Sequence, residues 1–468
     1  MRCPVKYPVL PGRRFRRWNW LPCAVAVAVL ALPAGAQSRR SPSPLFGGPA
    51  PSKRPPVVTD PWLPQGNPLG HELERPHTQG RACSASAPVC VHWQDEQRAT
   101  AERALAVVTK AYRKLVYALR LPEPLADLGL GGSDALDLYL VDDGSELAVH
   151  RTATRLGAFD SSAAFCTLGS AYELERAATL CVAEAIAWRV NASTAPHLKR
   201  AYATHAWQTL GSPTASDLEG LDDLQSNPQL GVATRDLSEL SEASSIWFEY
   251  LDQRLGRGDP LGVSTALLSA SATQTPASGF EWHAEPDAFD VLRHTFDDKP
   301  RQFAEFFLGF AVARAFVGSR DDGSHLPSLS WAGSFGAARF DWVLPFSTLP
   351  RRVGVLRPLA PTGSVYLWLP LDKVPEGKSL GFQAQWESPA TFHWALVRVD
   401  GQGRELGRLI APFSERGNEV QQSIVDLKGT AGILVVGTNL GGVDPAHPFD
   451  PDVAPHEPHG CTVYLAAI

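Results

Sequence analysis

The chain has 468 residues, with 43 Lys and Arg against 49 Asp and Glu, for a formal net charge of −6. Hydrophobic residues make up 44% and charged residues 20%, ordinary values for a globular protein, and the length predicts two or three domains with real cores. The acidic balance and the lack of a basic cluster exclude nucleic acid and anionic lipid as electrostatic partners.

In chain order, Arg2, Lys6, Arg13, Arg14, Arg16 and Arg17 form a basic segment with no acid in it. Leu21 to Leu32 is an apolar run of about a dozen residues, too short for a bilayer, which needs ~20. Ala34-Gly35-Ala36 follows with the small-x-small pattern that a signal peptidase cuts. Residues 1–36 are therefore expected to be a cleavable signal peptide, which makes the protein periplasmic or extracellular. Six cations and no acids leave with it, so 37 cations against 49 acids give the remainder a charge of −12. No later segment has 18 uninterrupted apolar residues, so no stable membrane anchor is expected after cleavage.

Residues 37–80 carry ten prolines with Ser, Gly and few large apolar residues, the composition of a disordered spacer. Order is expected from about Cys83, with a short strand at Val89–Trp93. Apolar positions from Ala104 to Leu119 recur at helical spacing, predicting a helix over 96–120 that Leu121-Pro122 stops. Leu136–Val141 alternates as a strand, and a loop region is expected from there to about Ser170. Further helices are predicted at Tyr172–Val190, Thr194–Leu210, Leu237–Leu255, Asp287–His294 and Gln302–Phe316, with a polar loop over 211–235. From about Leu356 the texture changes to short alternating segments separated by turn signals, the pattern of a small β-sandwich. The strands are predicted at Val365–Leu371, Phe382–Trp386, Phe392–Val399, Ser423–Leu427, Ile433–Val436 and Thr462–Ala466.

The predicted fold class is thus α+β, with an α-rich domain over 81–350 and an all-β sandwich over 355–468. Cys83, Cys90, Cys166, Cys181 and Cys461 remain after signal removal, and an oxidising compartment permits disulfides. Cys83 with Cys90 and Cys166 with Cys181 are candidate pairs, although spacing alone does not fix connectivity. No C-x-x-C pair is present, which argues against a cysteine-zinc site.

Two predicted helices carry the informative residues. In Tyr172–Val190, Ala177, Cys181, Glu184 and Trp188 fall on one stripe, which places Glu184 among apolar neighbours, where an unpaired carboxylate is costly. In Leu237–Leu255, Glu242, Ile246 and Glu249 share a face, and the plainest reading leaves both acids solvated and Glu184 at a helix edge. This layout, with the stretch Glu242-Ala243-Ser244-Ser245-Ile246-Trp247-Phe248-Glu249, resembles bacterial exported zinc metallopeptidases of the gluzincin type. In those, His-Glu-x-x-His on one helix gives two ligands and a general base, and a glutamate on the next completes the set. The resemblance implies a zincin-like fold over 81–350. It lays Ala183-Glu184-Ala185-Ile186-Ala187 over the motif, so both histidine positions, Ala183 and Ala187, are alanine. Glu184 falls on the general-base position and Glu242 on the third-ligand position.

The expectation is a degenerate, non-catalytic site with no cofactor. Zinc is expected only if that reading is wrong. The expected partner is a protein or peptide ligand. The alternatives are an active metallohydrolase with a non-standard metal site and a structural or adhesion module acting through the sandwich. Asp444, His447, Asp450, Asp452, His456, His459 and Cys461 are potential metal ligands, but their intervening prolines read as a solvated loop. His197 and His205 read as a surface or satisfied-core pair. Trp368, Trp386 and Trp394 would line either a binding face or the sandwich core.

Overall fold

A computed structural model describes residues 75–468 apart from 145, 156–160, 170–171, 215–216, 218, 233–239, 273–286, 297–299, 372–377, 415–416, 425 and 442–456. The expected signal peptide lies outside the described residues, as does the expected spacer up to residue 74. The described residues belong to one compact unit.

The α-rich part is built on a five-stranded mixed sheet of order β1-β2-β3-β5-β4. Its strands are β1 (Gly80–Cys83), β2 (Val89–Trp93), β3 (Leu136–Leu140), β4 (Ala148–Arg155) and β5 (Ser162–Leu168). β2, β3 and β5 run parallel, and β1 and β4 are antiparallel edges. The region expected to be loop before Ser170 therefore holds two strands. β5 reads SAAFCTL and is buried on both faces, so small residues replace the polar alternation that marks a half-exposed strand.

One face of this sheet is apolar. Val89, Val91, Leu136, Leu138, Leu140 and Cys166 pack there with helices α1 (Arg98–Tyr112) and α2 (Leu174–Val190). α1 ends in a π-helical turn over Arg113–Ala118, two residues short of the predicted stop. α2 is buried on nearly every side, because β5, α1, α3 (Pro196–Leu210) and α6 (Gly262–Ala270) all pack against it. Its alanines at 177, 178, 183, 185 and 187 permit that close approach.

The polar stretch 211–235 contains a short helix, α4 (Glu219–Ser226), where loop was expected. The helix expected from Leu237 starts at Ser245, as α5 (Ser245–Leu255), and Glu242 sits in the turn before it. Helices α7 (Ala288–Thr295) and α8 (Pro300–Ala315) match their predicted positions to within two residues at each end.

The C-terminal part is a sandwich of two sheets, ordered β11-β10-β13-β8-β6 and β12-β9-β14-β7. Five predicted strands correspond to β8 (Ser364–Pro370), β9 (Leu380–Trp386), β10 (Phe392–Val399), β13 (Gly432–Asn439) and β14 (Cys461–Ala467), whereas β12 (Glu419–Ile424) lies ahead of the strand expected at Ser423–Leu427 and shares only Ser423 and Ile424 with it. Added to them are β6 (Trp342–Val343), β7 (Arg351–Gly354) and β11 (Glu405–Ile410). Phe382, Trp386, Phe392, Trp394, Val435 and Val463 fill the space between the sheets. Trp386 and Trp394 are therefore core residues, and half-buried Trp368 stacks on Phe340, so the three tryptophans form no common binding face. The outer face of the five-stranded sheet is covered in turn. Tyr366, Ala395, Val397, Leu434 and Val436 pack on Leu308, Val312 and Phe316 of the α8 segment.

Both candidate disulfides are formed. Cys83–Cys90 joins the paired strands β1 and β2, and Cys166–Cys181 ties β5 to α2. Cys461 is buried and unpaired. Among the described residues, no helix is long and apolar enough to cross a membrane.

Candidate functional site

Glu184 lies one turn beyond Cys181, so the disulfide to β5 anchors the part of α2 that carries it. Its side chain is 9% exposed and is packed among Ala183, Ala185 and Ala187, all buried. The counter-charge comes from the next helix. Arg200 Nε of α3 stands 2.9 Å from Glu184 Oε2. The same guanidinium reaches Glu242 Oε1 at 3.8 Å through Nη1 and donates to the Leu147 carbonyl at 3.2 Å through Nη2.

Glu242 has a second cation. Arg176 Nη2, from the first turn of α2, donates to Glu242 Oε2, and Arg176 Nε donates to Asp217 Oδ1 at 2.5 Å. Asp217 is fixed independently by the indole Nε1–H of Trp207, at 3.0 Å, and by the backbone N–H of Thr214, at 2.7 Å. Two guanidinium groups and three carboxylates thus form one partly buried network joining α2, α3 and the two loops that flank α4. Burial pushes the Glu184 pKa up. Arg200 and then Lys199 pull it back, and Glu242 adds to the rise. Burial is the largest of these causes, so the net shift of Glu184 is upward.

Glu184 and Glu242, both singled out in the sequence, belong to this one network, whereas Arg176, Arg200 and Asp217 were not singled out. A signal existed for the cations: a carboxylate on an apolar stripe requires a buried partner, and the next helix, α3, carries Lys199-Arg200. Lys199 is held elsewhere, its ammonium 3.0 Å from the Ala192 carbonyl and over the Trp188 ring.

The expectation that Glu249 is solvated is corrected. Glu249 is 14% exposed, 3.4 Å from His205 Nδ1, and accepts from the Ser328 hydroxyl. His205 also meets Asp252 Oδ2 at 2.7 Å, and His197 meets the Val232 carbonyl at 3.2 Å. Both histidines are buried; burial lowers the His197 pKa to about 4, and among the described residues His197 Nδ1 has no hydrogen-bond partner, so of the two only His205 is bonded through both ring nitrogens.

The donor set around Glu184 does not fit zinc. Ala183 and Ala187 offer no ligand atom, and guanidinium groups already occupy both carboxylates. Among the described residues no group of three or more His, Cys, Asp or Glu is arranged to hold a metal ion. Of the C-terminal ligand-rich segment, Asp444, His447, Asp450, Asp452 and His456 lie outside the described residues. His459 sits 3.7 Å from Glu387, and burial pushes the Cys461 thiol far up.

The sequence matches no family model and no curated protein. Among solved structures, the chain is similar to the pre-peptidase C-terminal domain of collagenase from Bacillus anthracis, with 7% identity and a TM-score of 0.18, over 27% of this chain and 96% of that one. It is also similar to the enzymatically active domain of tailspike protein 4 of bacteriophage CBA120, with 9% identity and a TM-score of 0.17, over 26% of this chain and 17% of that one.

Proposed function

We propose that the protein is an exported, metallopeptidase-like protein without peptidase activity, whose α-rich part retains the scaffold of a zinc site and binds a protein or peptide. One observation carries this reading. Glu184 and Glu242, which the sequence resemblance lays over the general base and the third ligand, meet at the single guanidinium of Arg200. A guanidinium supplies the positive charge that two facing carboxylates need. It offers no open coordination position and does not acidify a water molecule, so it balances the charge without the chemistry. The two disulfides support an oxidising compartment, and hence export.

The test is to rebuild a metal site. Replacing Ala183 and Ala187 by His, with Arg200→Ala to vacate the space between the acids, should create zinc binding at one equivalent per chain. Adding Glu242→Gln should abolish it. A folded triple variant that takes up no zinc overturns the alignment of α2 with the metallopeptidase motif. Zinc bound stoichiometrically by the unmodified protein, together with peptide hydrolysis, overturns the non-catalytic assignment.

A further inference from the structure

The sheet has a second built site on its other face. Cys166 points towards α2, so its neighbour Phe165 points the opposite way, as do Asp137 and Tyr139 between the core residues Leu136, Leu138 and Leu140. On this face Arg75, which composition assigns to the spacer, lays its guanidinium into a pocket. Nη1 donates to Asp137 Oδ2 at 2.6 Å and to the Tyr139 hydroxyl at 3.3 Å, and Nη2 donates to Asp127 Oδ2 at 2.6 Å. The guanidinium carbon stands 4.6 Å from the centre of the Phe165 ring. Two carboxylates read the fork of the guanidinium and an aromatic ring covers its plane, a combination that suits arginine and not lysine.

The pocket walls are held by contacts that do not involve Arg75. His92 Nε2 bonds Asp137 Oδ1 at 2.8 Å, and its ring stacks on Tyr139. The Gly129 backbone N–H donates to Asp127 Oδ1 at 3.1 Å. Phe165 is braced by Tyr139 and His150. Gly131, at φ +77°, closes over Asp137 so tightly that a Cβ would come within 2.1 Å of Oδ2. The side chains of Asp127 and Asp137 are 3% and 0% exposed, so both acids of the pocket are buried. Burial raises the Asp127 pKa to about 6, and Arg75 offsets that rise only in part.

Bonds to residues 93–95 hold the segment that delivers Arg75. The Gln79 N–H donates to the Trp93 carbonyl at 3.0 Å, Gln94 Nε2 donates to the His77 carbonyl at 2.5 Å, and the Asp95 N–H donates to Gln79 Oε1 at 2.8 Å. His77 and Gln79 are exposed. We propose that the pocket of Asp127, Asp137, Tyr139 and Phe165 is a guanidinium-binding site, filled in the intact chain by Arg75 and open to a peptide's arginine side chain when the strap of residues 75–79 is displaced. It shares no residue with the Glu184 network.

Isothermal titration of the full chain and of its Arg75→Ala variant with N-acetyl-argininamide and N-acetyl-lysinamide tests this. The unmodified chain should bind neither probe saturably. The variant should bind the arginine probe at least about tenfold more tightly than the lysine probe. A further Asp137→Asn change should remove that binding. A folded Arg75→Ala variant that binds neither probe, or both alike, overturns the proposal. If the variant does not fold, millimolar N-acetyl-argininamide should restore its near-ultraviolet circular dichroism where the lysine probe does not, and failure of that rescue overturns it equally.

Discussion

Arg200 Nε lies 2.9 Å from Glu184 Oε2, which places a cation of α3 over a carboxylate buried among the alanines of α2. Desolvating such a pair costs several kcal/mol per ion, and the mutual attraction repays it only while both members are present. Arg200→Leu should therefore cost about 3–5 kcal/mol of stability at neutral pH, measured by urea unfolding. Glu184→Leu with Arg200→Leu should recover most of that loss, because neither charge is then stranded. Burial already raises the Glu184 pKa, so the penalty of Arg200→Leu alone should shrink as pH falls and Glu184 takes a proton. A penalty independent of pH would show that Arg200 acts through packing alone.

His325 gives a second pH signature. Its Nδ1 lies 3.0 Å from Asp322 Oδ1 and its Nε2 lies 2.7 Å from Glu405 Oε2 on β11, while its ring stacks on Phe316. Arg408 also faces this cluster, with Nη2 at 3.1 Å from His325 Nε2 and a bidentate grip on Glu405. Burial lowers the His325 pKa, but its bonds to Glu405 and Asp322 outweigh burial and leave it raised. Burial raises Glu405, but His325 and Arg408 outweigh it and hold the acid at about 2. Asp322 is lowered in the same way. The raised His contributes stability in full below its unfolded value of about 6.5, and the contribution fades as pH rises through the folded value. The depressed acids contribute above their unfolded values of about 4, and the contribution fades as pH falls through the folded values. The cluster should stabilise most between about pH 4.5 and 6.5, and His325→Gln should flatten the fall in stability above that window in pH-dependent thermal unfolding.

How far the sequence carried depended on where each partner sits along the chain. Helix α8 was legible because Phe303, Phe306, Phe307 and Phe310 declare a buried face within one segment. Strand β10 was legible because its flanking turns are local. β5 was not, since a strand covered on both faces loses its polar alternation. α6 was missed for a related reason: GVSTALLSA is short and its small residues give no clear face. At the site, Glu184 and Glu242 were singled out through the resemblance, whereas Arg176 and Arg200 pair with Glu242 across 66 and 42 positions and Arg200 pairs with Glu184 across 16, relationships only tertiary packing defines.

Opening Cys166–Cys181 should destabilise the protein more than opening Cys83–Cys90. The first bond closes 15 residues and joins a strand to a helix, while the second closes 7 residues between neighbouring strands that already pair. On chain-entropy grounds a loop of 15 residues is worth about 3 kcal/mol. Replacing Cys166 and Cys181 by Ser should lower stability by roughly that amount in guanidinium unfolding. It should also loosen the segment of α2 that carries Glu184, seen as faster amide exchange over 181–188.

The sandwich should not be stable as a free fragment. Its five-stranded sheet buries apolar side chains on both faces: Val365, Leu367, Trp394 and Val435 point to the inner core, while Tyr366, Val397, Leu434 and Val436 point to α8. The Tyr366 hydroxyl donates to the Ala311 carbonyl of α8 at 2.7 Å, so that face carries a directional bond as well as apolar area. Cutting at residue 355 strips α8 away and exposes a flat row of branched and aromatic side chains, a surface of the kind that drives association. A fragment of residues 355–468 should therefore aggregate or unfold, whereas the full chain should melt in a single cooperative transition. Val312→Ala, which opens a void where α8 meets the sheet, should lower that one transition by about 1–3 kcal/mol in stability without splitting it. Two resolved transitions in calorimetry, or a soluble folded fragment, would show that the sandwich is independent of the helix that covers it.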